Sequence, residues 1–128
     1  MGYYQDSEEF RKAIALNKYW ESGECNKWVQ GYFDILKTSE YPLAYCQIGY
    51  AYLEGIGVEK DLVKAFEYTK KGAELGDRDA QYNIGTMYED GVGVNSDIEQ
   101  AKIWYKKAAL QERDLAIQKL KSLFENNF

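Results

Sequence analysis

Residues 55–61 read GIGVEKD and residues 91–97 read GVGVNSD. Both carry a Gly-x-Gly-Val core and close on an aspartate. Their first glycines, at positions 55 and 91, lie 36 residues apart. A phosphate cradle, a calcium loop and a structural turn all can take this form, so the flanking residues decide.

Shifting the whole chain by the same 36 residues tests for an internal repeat. AYCQIGYAYLEGIGVEKDLVKAFEYTKKGAELGDRD starts at Ala44, and AQYNIGTMYEDGVGVNSDIEQAKIWYKKAALQERDL starts at Ala80. Ala44 falls on Ala80, Ile48 on Ile84, Gly49 on Gly85 and Tyr52 on Tyr88. Beyond the loop, Ala65 falls on Ala101, Tyr68 on Trp104, Lys70 and Lys71 on Lys106 and Lys107, and Ala73 on Ala109. The register holds across the unit.

Each unit reads as two helices. Ala44, Ile48 and Tyr52 recur every fourth residue and share one helical face. Gly49 lies beside that stripe, where the missing side chain lets a second helix approach closely. Gly55 and Gly57 break the first helix, and Val58 reads as a plug that tucks the loop back. Asp61 and Asp97 suit the N-cap of the second helix, Asp97 with Gln100 at capping-box spacing. That second helix carries Ala65, Tyr68 and Gly72, matched by Ala101, Trp104 and Ala108. Its lysine pairs fall in the last turns, where positive charge suits the helix dipole. Gly76 is the expected stop after the first unit.

A third, degenerate unit precedes these. VQGYFDIL aligns with the second helices at the same shift, Val29 on Ala65 and Tyr32 on Tyr68. Its first helix fits a shift of 32 instead, with Leu16 on Ile48, Trp20 on Tyr52 and Gly23 on Gly55. At the other end Ala116, Leu120 and Phe124 continue the stripe as a closing segment. The expected layout is one domain over 1–128. It holds a degenerate helix pair over 6–37, repeats over 44–79 and 80–115, and a capping helix over 116–128. That makes seven helices and no sheet.

These stretches resemble the Sel-one-like repeat (SLR), a relative of the tetratricopeptide repeat. The residues that carry the resemblance are those of the two aligned units, with the pattern A-x-x-x-L-G-x-x-Y-x-x-G-x-G-V-x-x-D and its second-helix continuation. Glu112 stands where the family usually has glycine, and the first loop is short. The resemblance implies an all-α solenoid, with antiparallel helix pairs stacked into a right-handed superhelix. It also implies a concave face lined by first helices that binds proteins.

The glycine loops therefore read as inter-helix turns. A dinucleotide loop needs a third glycine and a preceding strand, and both are missing. A calcium loop needs oxygen ligands where GVGVNSDIE has valines. No cofactor or metal is expected. With no histidine in the sequence there is no imidazole base, and no catalytic signature surrounds Cys25 or Cys46. Enzyme activity is the remote reading. A net charge of −5 and a pI near 4.8 argue against nucleic acid as a partner. No apolar run is long enough to cross a membrane. The two cysteines match no metal spacing and read as reduced thiols of a cytoplasmic protein.

Binding residues are expected on the first helices, opposite the buried stripe. They are Cys46, Tyr50 and Leu53, then Tyr82, Thr86 and Glu89, with Ile14 and Lys18 in the degenerate unit. Glu54, Glu89 and Asp90 would give that groove an acidic rim and favour a basic protein partner. Two functions fit. One is an immunity protein that neutralises a cognate bacterial toxin; the other is a general scaffold for protein complexes.

Overall fold

The computed structural model describes residues 7–111 and 114–125. Asp6 of the expected first pair, Glu112, and residues 126–128 of the expected capping helix lie outside them. Helices α1 (Glu8–Ala15), α2 (Asn17–Glu21) and α3 (Cys25–Leu36) come first. Helices α4 (Pro42–Glu54) and α5 (Leu62–Glu74) form the next pair, and α6 (Arg78–Asp90) and α7 (Ile98–Ala109) the third. Helix α8 (Asp114–Glu125) follows, and no strand occurs among the described residues.

The seven expected segments are present, the first of them broken into α1 and α2. At the break, the Leu16 N–H donates to the Ala13 carbonyl and the Tyr19 N–H to the Leu16 carbonyl, both at 3.0 Å. These three-residue steps are a 3₁₀ tightening. The Leu16 side chain fills the space over Gly31 of α3, where a Cβ would come within 2.7 Å of Leu16 Cδ1. One consequence corrects the sequence reading. Trp20 does not join the buried stripe but is 44% exposed.

Local chemistry sets the other boundaries. Pro42 occupies the first turn of α4, where its missing N–H has no helical partner to lose. Aspartates cap α5, α6 and α7: Asp61 accepts from the Lys64 N–H at 3.0 Å, Asp77 from Ala80 at 2.8 Å and Asp97 from Gln100 at 3.1 Å. Helices α4 and α6 both end on a glycine at φ 70°, Gly55 and Gly91. An L-residue there meets its own carbonyl. The Asp61 N–H then returns to the Tyr52 carbonyl at 3.0 Å, and the Asp97 N–H to Tyr88 at 2.8 Å. The two glycine loops are one structural turn used twice.

Packing follows the small residues. A Cβ on Gly49 would strike the Thr69 hydroxyl and lie 3.0 Å from the Thr69 nitrogen, so α5 rests directly on α4. On Gly85 it would come within 2.6 Å of the Tyr105 ring. Ala44, Ile48, Ala80, Ile84, Ala101 and Tyr105 are fully buried between these helices. Burial of each isoleucine contributes about 1.5–3 kcal/mol.

The loops also tie successive pairs together. A Cβ on Gly57 would collide with the Cys25 carbonyl group at the start of α3. One on Gly93 would collide with the Leu62 carbonyl group at the start of α5. In α8 the register position of Gly49 and Gly85 is held by Lys121. Helix α8 therefore lacks the recess into which α5 and α7 settle. Its Ala116 is buried, while Phe124 is exposed rather than part of the core.

Candidate protein-binding face

The first helices of successive pairs touch side by side. The Trp20 ring of α2 lies 6.5 Å from the Tyr50 ring of α4. Asn83 Nδ2 of α6 donates to Cys46 Sγ of α4 at 3.9 Å. Lys119 Nζ of α8 pairs with Glu89 Oε1 of α6 at 3.4 Å. These contacts make one continuous surface running from α2 to α8.

The residues singled out in the sequence divide into three groups. Ile14 (50% exposed) and Tyr50 (39%) are open to solvent, as are Lys18, Glu54 and Asp90. Leu53, Tyr82 and Thr86 are half-buried. Leu53 and Tyr82 pack against the main core cluster, Tyr82 with its ring 5.7 Å from Tyr105. The Thr86 hydroxyl donates back to the Asn83 carbonyl at 2.7 Å.

Two residues lie elsewhere than expected. Cys46 is only 6% exposed, because Asn83 of the adjoining helix covers it. Burial pushes its thiol pKa well above the usual value, with the nearby carboxylates Asp77 and Asp79 adding to the shift. Glu89 is no free rim carboxylate. It accepts the Tyr105 hydroxyl at 2.7 Å and pairs with Lys119, leaving its side chain 21% exposed. Of the three carboxylates expected at a rim, only Glu54 and Asp90 are exposed.

The structure adds residues that sequence reasoning missed. Trp20 lies over Trp28 with ring centroids 4.9 Å apart, and Trp28 is buried. Gln47, Asn83 and Lys119 occupy one register column along the face. Their equal spacing was the available signal for them. Trp20 had none, since its placement depends on the break at Leu16. Among the described residues no cluster of His, Cys, Asp or Glu is arranged to hold a metal ion, and no helix is long and apolar enough to cross a membrane.

A family model described as Sel1 repeat matches residues 42–77 and 78–112. The chain belongs to the Sel1 repeat family. The matched units begin two residues before the boundaries drawn at Ala44 and Ala80. A Sel1 repeat protein from Oxalobacter formigenes is 34% identical, with a TM-score of 0.79 over 87% of this chain and 45% of its own. A protective antigen of uropathogenic Escherichia coli strains, displaying an SLR fold, is 26% identical with a TM-score of 0.80. That match covers 97% of this chain and 27% of the antigen. Cysteine-rich protein B of Helicobacter pylori, at 22% identity, shares the fold with a TM-score of 0.69 over 91% of this chain and 99% of its own. The Sel1 chain thus spans less than half the length of the first two. A comparison with curated proteins gives no match.

Proposed function

We propose that this Sel1 repeat chain is a non-catalytic domain that binds a protein partner along the exposed face of its first helices. The carrying observation is that large apolar side chains stay in water there, Ile14, Trp20 and Tyr50 among them, two of the three being aromatic. Aromatic side chains of this kind anchor interfaces, because they exclude water at little entropic cost.

The more specific form of the proposal is an immunity protein acting in the cytoplasm on a basic toxin. Its support is the net charge of −5 and the exposed carboxylates Glu54 and Asp90 at the ends of α4 and α6. Opposite charge speeds encounter, while buried aromatics slow release. A general scaffold shares the face but not the charge preference.

Surface plasmon resonance against the protein encoded beside this one tests both. Tyr50→Ala is expected to speed dissociation. Glu54→Lys with Asp90→Lys is expected to slow association and to flatten its dependence on salt. An acidic partner would remove the toxin reading. Rates untouched by all three substitutions would place the interface on another face.

A further inference from the structure

Helix α8 stands in the register of α4 and α6, and each of those carries a second helix on one side. On α6 that side is covered by α7, which leaves Gln81, Ile84 and Tyr88 buried. Their counterparts on α8 are Ile117, Leu120 and Phe124. Ile117 and Leu120 are only half-buried, and Phe124 is exposed. Together with Ala109 of α7, and with Lys121 and Glu125 at the rim, they line an open groove of about 380 Å³. We infer that this groove is the seat of an amphipathic helix of a partner protein, one that sets a carboxylate over Lys121. The groove lies on a different side of α8 from the first-helix face proposed above and does not depend on that reading.

The two filled seats show the shape of the occupant. Each is covered by one helix, which lays Thr69 of α5 over Gly49 and Tyr105 of α7 over Gly85. The open seat continues that series with more apolar surface, not less. Leu120 stands for Ile84, Phe124 gives up the hydroxyl of Tyr88, and Ile117 takes the place of the amide Gln81. A helix built to close a solenoid turns a polar outer face to water. This side of α8 does the opposite.

Lys121 sets the charge. It fills the place of Gly49 and Gly85, so a ring placed like that of Tyr105 has no recess to enter. Among the described residues no carboxylate pairs with it. A short acidic residue, at the position of Thr69 and Tyr105, leaves room for the lysine stem and accepts from its ammonium. A second copy of this chain fits poorly. Asp114, Lys121 and Glu125 share one edge of the stripe at helical spacing. An antiparallel pair of α8 helices centred on Leu120 would set Glu125 of one beside Asp114 of the other. A parallel pair would set Lys121 against Lys121. Like charges at such distances oppose pairing.

The test adds a second helix in trans. Two synthetic peptides are titrated into the isotope-labelled full chain and followed by NMR. One copies residues 97–111, the α7 segment with its cap, and the other carries Tyr105→Asp in the same segment. A scrambled peptide of the same composition as the aspartate peptide is the control. Saturable shifts confined to α8 and the end of α7 are expected, with the aspartate peptide bound about fivefold tighter than the tyrosine one. Lys121→Gly in the protein should reverse that order by restoring the recess. Lys121→Glu keeps a good helix former and should remove the preference for aspartate, which decides the matter if Lys121→Gly unfolds α8. Phe124→Ala should weaken both peptides. Far-UV circular dichroism checks the fold of each variant. The inference is overturned by the absence of saturable shifts at α8 up to about 1 mM peptide. Equal binding of the scrambled peptide, or a preference indifferent to Lys121→Glu, overturns it too. A dimer in sedimentation velocity that Phe124→Ala dissociates would put a second copy in the groove, and the partner helix would fall.

Discussion

Two alanine substitutions, two residues apart, weigh how firmly a glycine loop is keyed into the pair before it. Gly91 and Gly93 both adopt φ 70°, so alanine at either carries the same left-handed penalty, about 1–2 kcal/mol. Their surroundings differ. A Cβ on Gly91 would lie 3.3 Å from the Ser96 nitrogen and 3.4 Å from the Ser96 Cβ, within its own loop. On Gly93 it would strike the Leu62 carbonyl group, 2.8 Å from its carbon, and come 3.0 Å from the Phe66 Cβ. Carbon atoms sit most favourably about 3.5–4.0 Å apart, so the loop must retreat from α5 by about 1 Å. Such overpacking costs a further 1–3 kcal/mol or so. Gly93→Ala should thus cost about 2–5 kcal/mol and Gly91→Ala about 1–2 kcal/mol, adding the two terms. For a chain of this size each kcal/mol lowers the melting temperature by about 3–5 °C. Urea unfolding followed by far-UV circular dichroism measures the difference. Equal losses for the two variants would mean that the loop merely closes its own helix and does not hold the preceding pair.

Three further outcomes follow from single groups. Asp77 caps α6, yet burial raises its carboxyl pKa, so Asp77→Asn, an equally good cap, should hold or raise stability at neutral pH in thermal unfolding. Asp77→Ala should lower stability by about 1 kcal/mol. Burial, then the hydrogen bond to Glu89, raises the pKa of the Tyr105 phenol. A raised folded-state pKa contributes stability that is complete below the unfolded value of about 10 and is lost as pH climbs above it. Urea midpoints should therefore fall above about pH 10, and fall less in Tyr105→Phe, which should cost about 1–3 kcal/mol at neutral pH. Cys25 and Cys46 are both free, but only Cys25 is partly exposed. A thiol reagent should label one cysteine readily in the native protein and two after unfolding; prompt labelling of both would contradict the burial of Cys46.

The repeat was legible because every unit must solve the same problem with the same few residues. A glycine where helices touch, a glycine at positive φ and an aspartate at the next N-terminus leave little choice, so Gly49, Gly55 and Asp61 reappear 36 positions on. The first pair was harder to read. Its break needs only two three-residue hydrogen bonds around Leu16 and a glycine at position 31 to receive the side chain. Neither disturbs the helical spacing of apolar residues, so the sequence placed Trp20 in the core. Glu89 misled for another reason. Its partners Tyr105 and Lys119 come from α7 and α8, and a surface carboxylate cannot be told from a satisfied one until those helices are placed.

The same comparison separates constant columns from variable ones. Ala44, Ala80 and Ala116 hold one register position, are identical, and are all fully buried. The neighbouring columns on the first-helix face change at every step, from Tyr50 to Thr86 to Ser122 and from Gln47 to Asn83 to Lys119. Part of that variation serves packing, since Asn83 covers Cys46 and Lys119 pairs with Glu89, whereas Trp20 and Tyr50 stay exposed. What the face presents is therefore directional: aromatic at α2 and α4, polar at α6, cationic at α8. If a partner lies along this face as proposed, it meets a different chemistry at each 36-residue step, which would favour one register and one polarity of binding.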